Sequence, residues 1–313
     1  MAKGLHRADA FGLVHQTTFH TFRIPFACAM LGIPSVWGPV AGGEFAPDGY
    51  AKYLGAGAKA EAGRKRWNGY CLKMPWVKKS LRAVNRILVS NRVTGGFLGE
   101  FIEGKSVVVP PNALREEDLQ EPPVRGERGE VLQLLYVGNC APTRIMPIIF
   151  EALSEGVPFE WEITVVGEGS ALAFWKEEVE RLGLDSKVEF TGRVPMDEVR
   201  RHYAATDLLL FPALRDSGGS ALLEAMSLCV PILCFDWAGP GEMVTEETAL
   251  FIPVGSPEET KMAIREGMID WVEHPEKAIE CTKLGRERAL KVFQWESRRE
   301  LVEKVYAEVL QEE

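Results

Sequence analysis

Short apolar runs alternate with amphipathic stretches along almost the whole chain. That alternation predicts an α/β protein with mostly parallel sheets. In the first part, AFGLVHQ reads as a short buried strand ending near His15, and FRIPFACAMLG as a helix closed by Gly32. IPSVWG is the next strand, followed by the glycine-rich loop PVAGGE. RILVS, Arg86 to Ser90, is a further strand with a polar turn at Asn91. SVVVPPN is another, ended by Pro110 and Pro111, which cannot extend a sheet ladder.

From Leu119 to Glu130 the text is LQEPPVRGERGE, polar, with paired prolines and two glycines, and it reads as a linker. The pattern then resumes more regularly. VLQLLYVGN, WEITVVGEGS, KVEFTGRV, DLLLFPA, PILCFD and ALFIPV read as strands. PIIFEALSEG, ALAFWKEEVERLGL, MDEVRRHYAAT and SALLEAMSLC read as helices between them, with helix-like text filling Glu258 to Val292. Gly138, Gly167, Gly169, Gly192, Gly218 and Gly219 all fall just after strands, so they are expected to line one edge of the second sheet. Ligands in such sheets sit outside the carboxyl ends of the strands. The predicted organisation is a first domain over 1–118, a linker over 119–130, a second domain over 131–292, and a final helix within 293–313 that packs back toward the first domain.

A chain of 313 residues, 46% hydrophobic, is long enough for two cores. The formal charge of −9 argues against nucleic acid as a partner. The six cysteines show no CxxC and the five histidines are scattered, so neither a disulfide framework nor a metal site is expected. Reduced thiols and the lack of an apolar leader or long apolar run predict a cytoplasmic location. The charge is uneven, however. Residues 49–92 hold eleven lysines and arginines against the single acid Glu61, with Tyr50, Tyr53, Trp67, Tyr70 and Trp76 among them. The plainer reading is a pair of solvated helix faces. The alternative is contact with an anionic membrane surface or an anionic acceptor, which would put the protein peripherally on the inner face of the membrane.

A glycine turn between a strand and a helix offers backbone N–H groups to an anion. Both GGSALLEAM and PVAGGE have this form, and neither matches the dinucleotide or P-loop patterns. One anion-binding surface per domain would suit a diphosphate in a cleft. Arg144 adds a fixed positive charge after the first strand of the second domain, unless it is simply a surface arginine. Asp216 lies in the glycine turn and Glu224 eight positions further on, between Leu223 and Ala225. A carboxylate placed there needs a partner, either sugar or ribose hydroxyls or an internal ion pair. No DxD occurs in the chain, so paired aspartates holding a metal-bound diphosphate are not expected.

The stretch from Phe211 to Pro240 closely resembles the second domain of retaining GT-B glycosyltransferases of the large GT4 family, which transfer a sugar from a nucleotide-sugar donor. Asp216 and Glu224 match the family's E-x7-E motif, with Asp in the first place. LEAM, VPILCFD, AGPGEMV, VVGEGS and EFTGRV match its continuation. HQTTFHTFRIP, LGIPSVWGPVAGGE and VVPPNA resemble one subgroup. The resemblance implies a GT-B fold with two Rossmann-like domains facing a cleft. It also implies a nucleotide-sugar co-substrate, no cofactor or divalent metal, and a glycan or lipid-linked acceptor.

On this resemblance His15, Asp216 and Glu224 form the catalytic centre. His15 would lie near the transferred sugar, with His20 a weaker candidate; a half-buried structural histidine is the alternative for His15. Gly138, Asn139, Arg144, Gly218, Gly219, Ser220 and Glu224 would hold the donor, with Glu224 on the ribose. Gly42, Gly43 and Glu44 would form the acceptor side of the cleft. Two departures stand out. Asn139 occupies the place of the family's arginine, and Arg144-Ile145 that of its Lys-Gly pair, which weakens the diphosphate site. The first strand also starts close to Met1, where the family has earlier strand–helix units, so the first domain is expected to be incomplete. A homologue that binds nucleotide or glycan with little or no turnover is the alternative to an active enzyme, and a membrane-associated scaffold using only the basic region is the third.

Overall fold

The computed structural model describes residues 11–311 apart from 18, 19, 117, 118, 120 and 124–128. The opening MAKGLHRADA and the centre of the proline-rich stretch before Glu130 therefore lie outside the described residues. Two parallel sheets organise the rest. The first has four strands in the order β1 (Val14–Gln16), β2 (Ser35–Val40), β3 (Arg86–Val89) and β4 (Ser106–Val108). The second has six: β5 (Val131–Val137), β6 (Glu160–Val166), β7 (Val188–Gly192), β8 (Leu208–Phe211), β9 (Ile232–Asp236) and β10 (Leu250–Pro253). Their spatial order is β10-β9-β8-β5-β6-β7.

The strands read as unbroken apolar runs because parallel sheets are covered on both faces. All four residues of β8, LLLF, are buried. In the first domain the helices are α1 (Gly57–Lys73), α2 (Pro75–Ala83) and α3 (Arg92–Leu98). In the second they are α4 (Met146–Ser154), α5 (Leu172–Arg181), α6 (Met196–Ala205), α7 (Ser220–Ser227), the single turn α8 (Pro240–Met243), α9 (Pro257–Glu273) and α10 (Pro275–Val292). Proline punctuates this text. The helical stretch expected over Glu258 to Val292 is two helices, because Pro275 cannot continue α9 and instead starts α10. Ser256 and Glu259 form a reciprocal capping box at the start of α9.

The helix expected over FRIPFACAMLG is a correction. Only a 3-10 turn, Ala27–Leu31, forms there, ending at Gly32 with a left-handed φ of 76°. Pro25 disfavours helical backbone at Ile24, and Phe22 and Phe26 are buried in the core of the first domain.

The last helix, α11 (Trp295–Gln311), crosses back to the first sheet. Its Val305 and Val309 are buried with Val36, Leu88 and Val109. A second tie runs the other way. Tyr50 and Tyr53, in a 3-10 turn before α1, are buried in the core of the second domain. Tyr50 Oη lies 2.6 Å from Thr260 Oγ1, and Tyr53 Oη donates to Glu151 Oε2 at 2.6 Å. The aromatic residues of the basic region thus divide. Tyr50 and Tyr53 join the domains, while Trp67, Tyr70 and Trp76 are 53%, 59% and 54% exposed.

Candidate functional site

A parallel sheet opens a crevice where its strand order reverses. In the second sheet the reversal falls between β5 and β8, which neighbour each other although β6 and β7 intervene in the chain. The loops after these two strands are zipped together. Ile145 N–H donates to the Pro212 carbonyl at 3.0 Å, and Leu214 N–H to the Thr143 carbonyl at 3.0 Å. The turn after β6 closes on the turn after β5 so tightly that a Cβ on Gly167 would sit 1.9 Å from the Gly138 carbonyl oxygen. Gly167 also has φ 141°, so only glycine fits.

Within this crevice the structure brings some of the predicted residues together and separates others. Arg144 Nη2 donates to Asp216 Oδ2, and its guanidinium lies 4.5 Å from the centroid of the Phe211 ring. Its buried Nη1 has no hydrogen-bond partner among the described residues. Asp216 Oδ1 accepts the Gly218 N–H at 2.9 Å. The expected phosphate ligand and the expected sugar ligand are therefore bonded to each other. Gly219 starts α7, and a Cβ there would meet the Phe211 ring at 2.5 Å. The loop carrying Gly138 and Asn139 faces the same crevice; the Asn139 carbonyl accepts from Tyr136 Oη at 2.8 Å.

Glu224 belongs to a neighbouring cavity of about 550 Å³, shared with Ser220, Asn112, Arg200, Tyr203 and Trp295 among others. Tyr203 Oη donates to Glu224 Oε2 at 3.2 Å. Burial first, and the Glu224 charge second, hold the Tyr203 phenol far above its usual range, so it stays a donor. Asn112, from the first domain, donates to the Gly218 carbonyl at 2.6 Å and the Ser220 hydroxyl at 3.2 Å. Asn112, Tyr203 and Trp295 line this cavity and were not among the candidates drawn from the sequence. Asn112 stands directly after Pro110 and Pro111, a stiff pair that could have marked it; Tyr203 and Trp295 read only as helix positions.

The glycine loop of the first domain differs from expectation. No helix starts directly after PVAGGE, since the next element is the 3-10 turn Tyr50–Leu54, so the glycine turn has no helix N-terminus to offer. The Gly42 N–H donates to Glu44 Oε2 at 2.8 Å, and the Gly43 N–H to Thr94 Oγ1 at 3.3 Å. Glu44, 5% exposed, also accepts from Thr94 Oγ1 at 2.8 Å. The protein's own carboxylate occupies the place that an anion was expected to take. Gly42, Gly43 and Glu44 nevertheless sit at the domain junction, where Trp237 Nε1 donates to the adjacent Phe45 carbonyl at 2.9 Å. Arg64 holds the loop through the Glu44 carbonyl at 2.9 Å. Burial, then the nearby Arg215 charge, lower the Arg64 pKa.

His15 is half-buried and lies one residue before the end of β1, close to where the strand was expected to end. Its Nδ1 is 2.6 Å from Tyr306 Oη on α11, and its Nε2 is 2.9 Å from the Gly38 carbonyl. Both ring nitrogens are engaged by the protein, so the ring fastens α11 to the first sheet. His20 is exposed. Among the described residues, no group of three metal-ligating side chains occurs, and no helix is long and apolar enough to cross a membrane.

Two parallel sheets facing one another, with glycine turns along one edge of the second, define the GT-B fold. A sucrose-phosphate synthase from Thermosynechococcus elongatus shares it with a TM-score of 0.66 and 18% identity, covering 100% of this chain and 77% of that one. HepE of Anabaena, in complex with UDP, shares it with a TM-score of 0.66 and 14% identity over 98% of this chain and 81% of that one. The model of the family Glycosyl transferases group 1 matches residues 118–287, more than half of the chain, which therefore belongs to that family. A curated relative, the gpi3 subunit of phosphatidylinositol N-acetylglucosaminyltransferase from Schizosaccharomyces pombe, is 23% identical over 212 residues. That match covers 66% of this chain and 45% of the relative. The chain spans less than half the length of the curated relatives it matches.

The His15 bonds generate a pH prediction. Burial holds the imidazole pKa below its usual value, outweighing the Gly38 carbonyl bond that favours the charged ring. A group whose pKa is lower in the folded state contributes stability above its unfolded value, and that contribution is lost as pH falls through the folded value. Wild-type stability is therefore expected to fall between about pH 7 and pH 5, spanning the unperturbed histidine value near 6.5. His15→Gln is expected to be less stable at pH 7 and to lack this component of the fall. Urea midpoints of both proteins at the two pH values measure it. A wild-type-to-variant gap that stays constant across the range would contradict the assignment.

Proposed function

We propose that the protein is a retaining glycosyltransferase that moves a sugar from a nucleotide-sugar donor to a glycan or lipid-linked acceptor. The observation carrying this reading is the cavity in which the Glu224 carboxylate, the Ser220 hydroxyl at the start of α7 and Asn112 of the first domain converge. Glu224 accepts from the ribose hydroxyls, because an ionised carboxylate is an acceptor-only group. The N–H groups of Gly219 and Ser220, at a helix start, meet the diphosphate. Gly138 and Asn139 line the crevice beside it, and Gly42, Gly43 and Glu44 form the wall on the acceptor side.

In the transfer, the bond from the anomeric carbon to the diphosphate oxygen breaks and its electron pair leaves with the nucleotide. The acceptor oxygen bonds the same carbon from the same face and releases its proton to the departing phosphate. Charge on the leaving group is stabilised by Arg144 and by the N–H groups of the turn, and closure of the domains excludes water. No divalent metal is required when a guanidinium and a helix start share that charge. Asp216 then has two roles. It holds Arg144 before the donor binds, and it accepts from sugar hydroxyls once the guanidinium turns to phosphate.

A second reading is a homologue that binds nucleotide or glycan without turnover. The Arg144–Asp216 ion pair favours it, together with Asn139 and Ile145 in place of the family's basic and glycine residues. Protein in EDTA, titrated with UDP-, GDP- and ADP-sugars and then assayed for sugar release or transfer, separates the two. Binding with turnover supports the enzyme, and binding alone supports the second reading.

For the location, we propose a cytoplasmic protein bound peripherally to an anionic membrane surface. The exposed Trp67 and Tyr70 rings on α1 lie with centroids 5.6 Å apart, tilted by 30°, and Trp76 is exposed at the start of α2. Lys73, Lys78, Lys79 and Arg82 border a shallow basic depression beside them. Exposed aromatic rings among lysines suit an interface of headgroups and acyl chains.

Two outcomes are expected. Glu224→Gln keeps the size of the side chain and removes the charged acceptor, a loss on the order of 1.5–3 kcal/mol. Nucleotide-sugar affinity by calorimetry should drop roughly 10- to 100-fold with the melting temperature nearly unchanged. An unfolded variant, or unchanged affinity, would remove Glu224 from the site. In flotation assays the protein should bind phosphatidylglycerol vesicles in preference to phosphatidylcholine, and the pair Trp67→Ala and Trp76→Ala should abolish this. Equal binding to both lipids would contradict the membrane surface.

A further inference from the structure

A second cavity, of about 430 Å³, lies at the meeting point of the first domain, the second domain and the closing helix. Val108 and Pro110 come from the end of β4, Arg288 from α10, and Ser297 and Arg298 from the first turn of α11. Arg298 is 8% exposed, and its Nε and Nη2 have no hydrogen-bond partner among the described residues. No other side chain so buried carries two unpartnered nitrogens among the described residues. Its guanidinium faces the Phe293 ring at 5.1 Å, with Arg288 facing the same ring at 5.7 Å. Burial lowers the Arg298 pKa to about 10, so the group still carries its charge at neutral pH.

A buried guanidinium with open N–H groups is costly, and in native proteins such groups are met by an ion or by water. Three observations point to an anion here. Lys291 and Arg288 add two further positive charges to the same wall. Glu242 is the one acid among the lining residues, and its Oε1 is taken by the Arg92 N–H and Nε, each at 2.8 Å. The cavity also borders the first turn of α11, a 17-residue helix whose positive dipole end adds to the same field, with the Trp295 N–H itself taken by the Leu114 carbonyl.

We infer that this cavity binds a phosphate group, free or as the terminal group of a small phosphomonoester. The Arg298 fork and the Lys291 ammonium contact its oxygens, with Ser297 at the rim. Tetrahedral phosphate matches a guanidinium fork with a second cation better than chloride does. The site is separate from the crevice at β5 and β8, and does not depend on how that crevice functions.

Thermal melting of the full chain tests the inference. Potassium phosphate and glycerol 1-phosphate are added in turn, against potassium chloride at matched ionic strength. A ligand that binds only the folded state raises the melting temperature. Phosphate is expected to raise it and chloride is not; a response to glycerol 1-phosphate as well identifies the monoester form. Arg298→Met keeps the length of the side chain and removes an unpaired buried charge, so it is expected to fold at least as stably. It should weaken phosphate binding roughly 10- to 100-fold. Should it fail to fold, the exposed Lys291→Met is expected to reduce the response. Arg144→Met, which removes the cation of the crevice at β5 and β8, should leave the response intact. The inference fails if phosphate acts no differently from chloride. It also fails if the response survives Arg298→Met, or Lys291→Met where that variant replaces it, or disappears with Arg144→Met.

Discussion

The ion pair between Arg144 and Asp216 sits across the reversal of the second sheet, and the shape of the crevice depends on it. It joins the loop after β5 to the loop after β8, next to two backbone bonds that already zip them together. The guanidinium lies against the Phe211 ring, so it is held on one face by an aromatic ring and at one edge by a carboxylate. An ion pair in this half-buried setting is stronger than one in water, and it costs more to break. The glycine turn after Asp216 is shaped by the same pair, since the other carboxylate oxygen accepts the Gly218 N–H. A donor diphosphate entering the crevice must therefore compete with Asp216 for Arg144. The proposed catalytic cycle begins with that exchange, and the non-catalytic reading amounts to the exchange being too costly.

Around this centre the two domains are tied at several points, of which three differ most in character. Tyr50 and Tyr53 insert apolar rings with hydrogen-bonded tips into the second core. Trp237 reaches back to the Phe45 carbonyl beside the glycine loop. The helix α11 returns to the first sheet, where His15 and Tyr306 fasten it. The first and third ties bury substantial apolar area, while the second is a single hydrogen bond at the cleft itself. A cleft that must open and close is expected to flex at the weakest of its contacts.

Much of the fold was legible because its signals are local. Runs such as LLLF and ILCF are continuous where both faces of a parallel strand are covered, and WEITVVGEGS ends in the turn that its glycines require. The α/β, two-sheet architecture follows from these. FRIPFACAMLG misled because its apolar spacing is helical while Pro25 denies the backbone that spacing; the aromatic residues are used as core anchors instead. At the site, Glu224 and Ser220 do line one cavity, as their place on the α7 turn suggested. The pairing of Arg144 with Asp216 was not readable, since residues 72 positions apart were each assigned to a ligand and not to each other. Likewise Glu44 fills its own glycine loop, a contact two residues long that composition cannot distinguish from an anion site. Arg298 reads in sequence as one more charge on the polar face of a helix; only the fold shows it buried beside Phe293.

In the proposed function, the turn Gly218–Ser220 and the start of α7 hold the nucleotide diphosphate. Amide hydrogen exchange with and without a saturating nucleoside diphosphate tests it most directly. Added protection is expected over Gly219 to Ala221 and at Asn139, with amides that are already bonded within the protein, such as those of Gly42, Gly43 and Gly218, unchanged. Protection confined to the first domain, with Gly219 to Ala221 exchanging as before, would contradict that placement of the diphosphate.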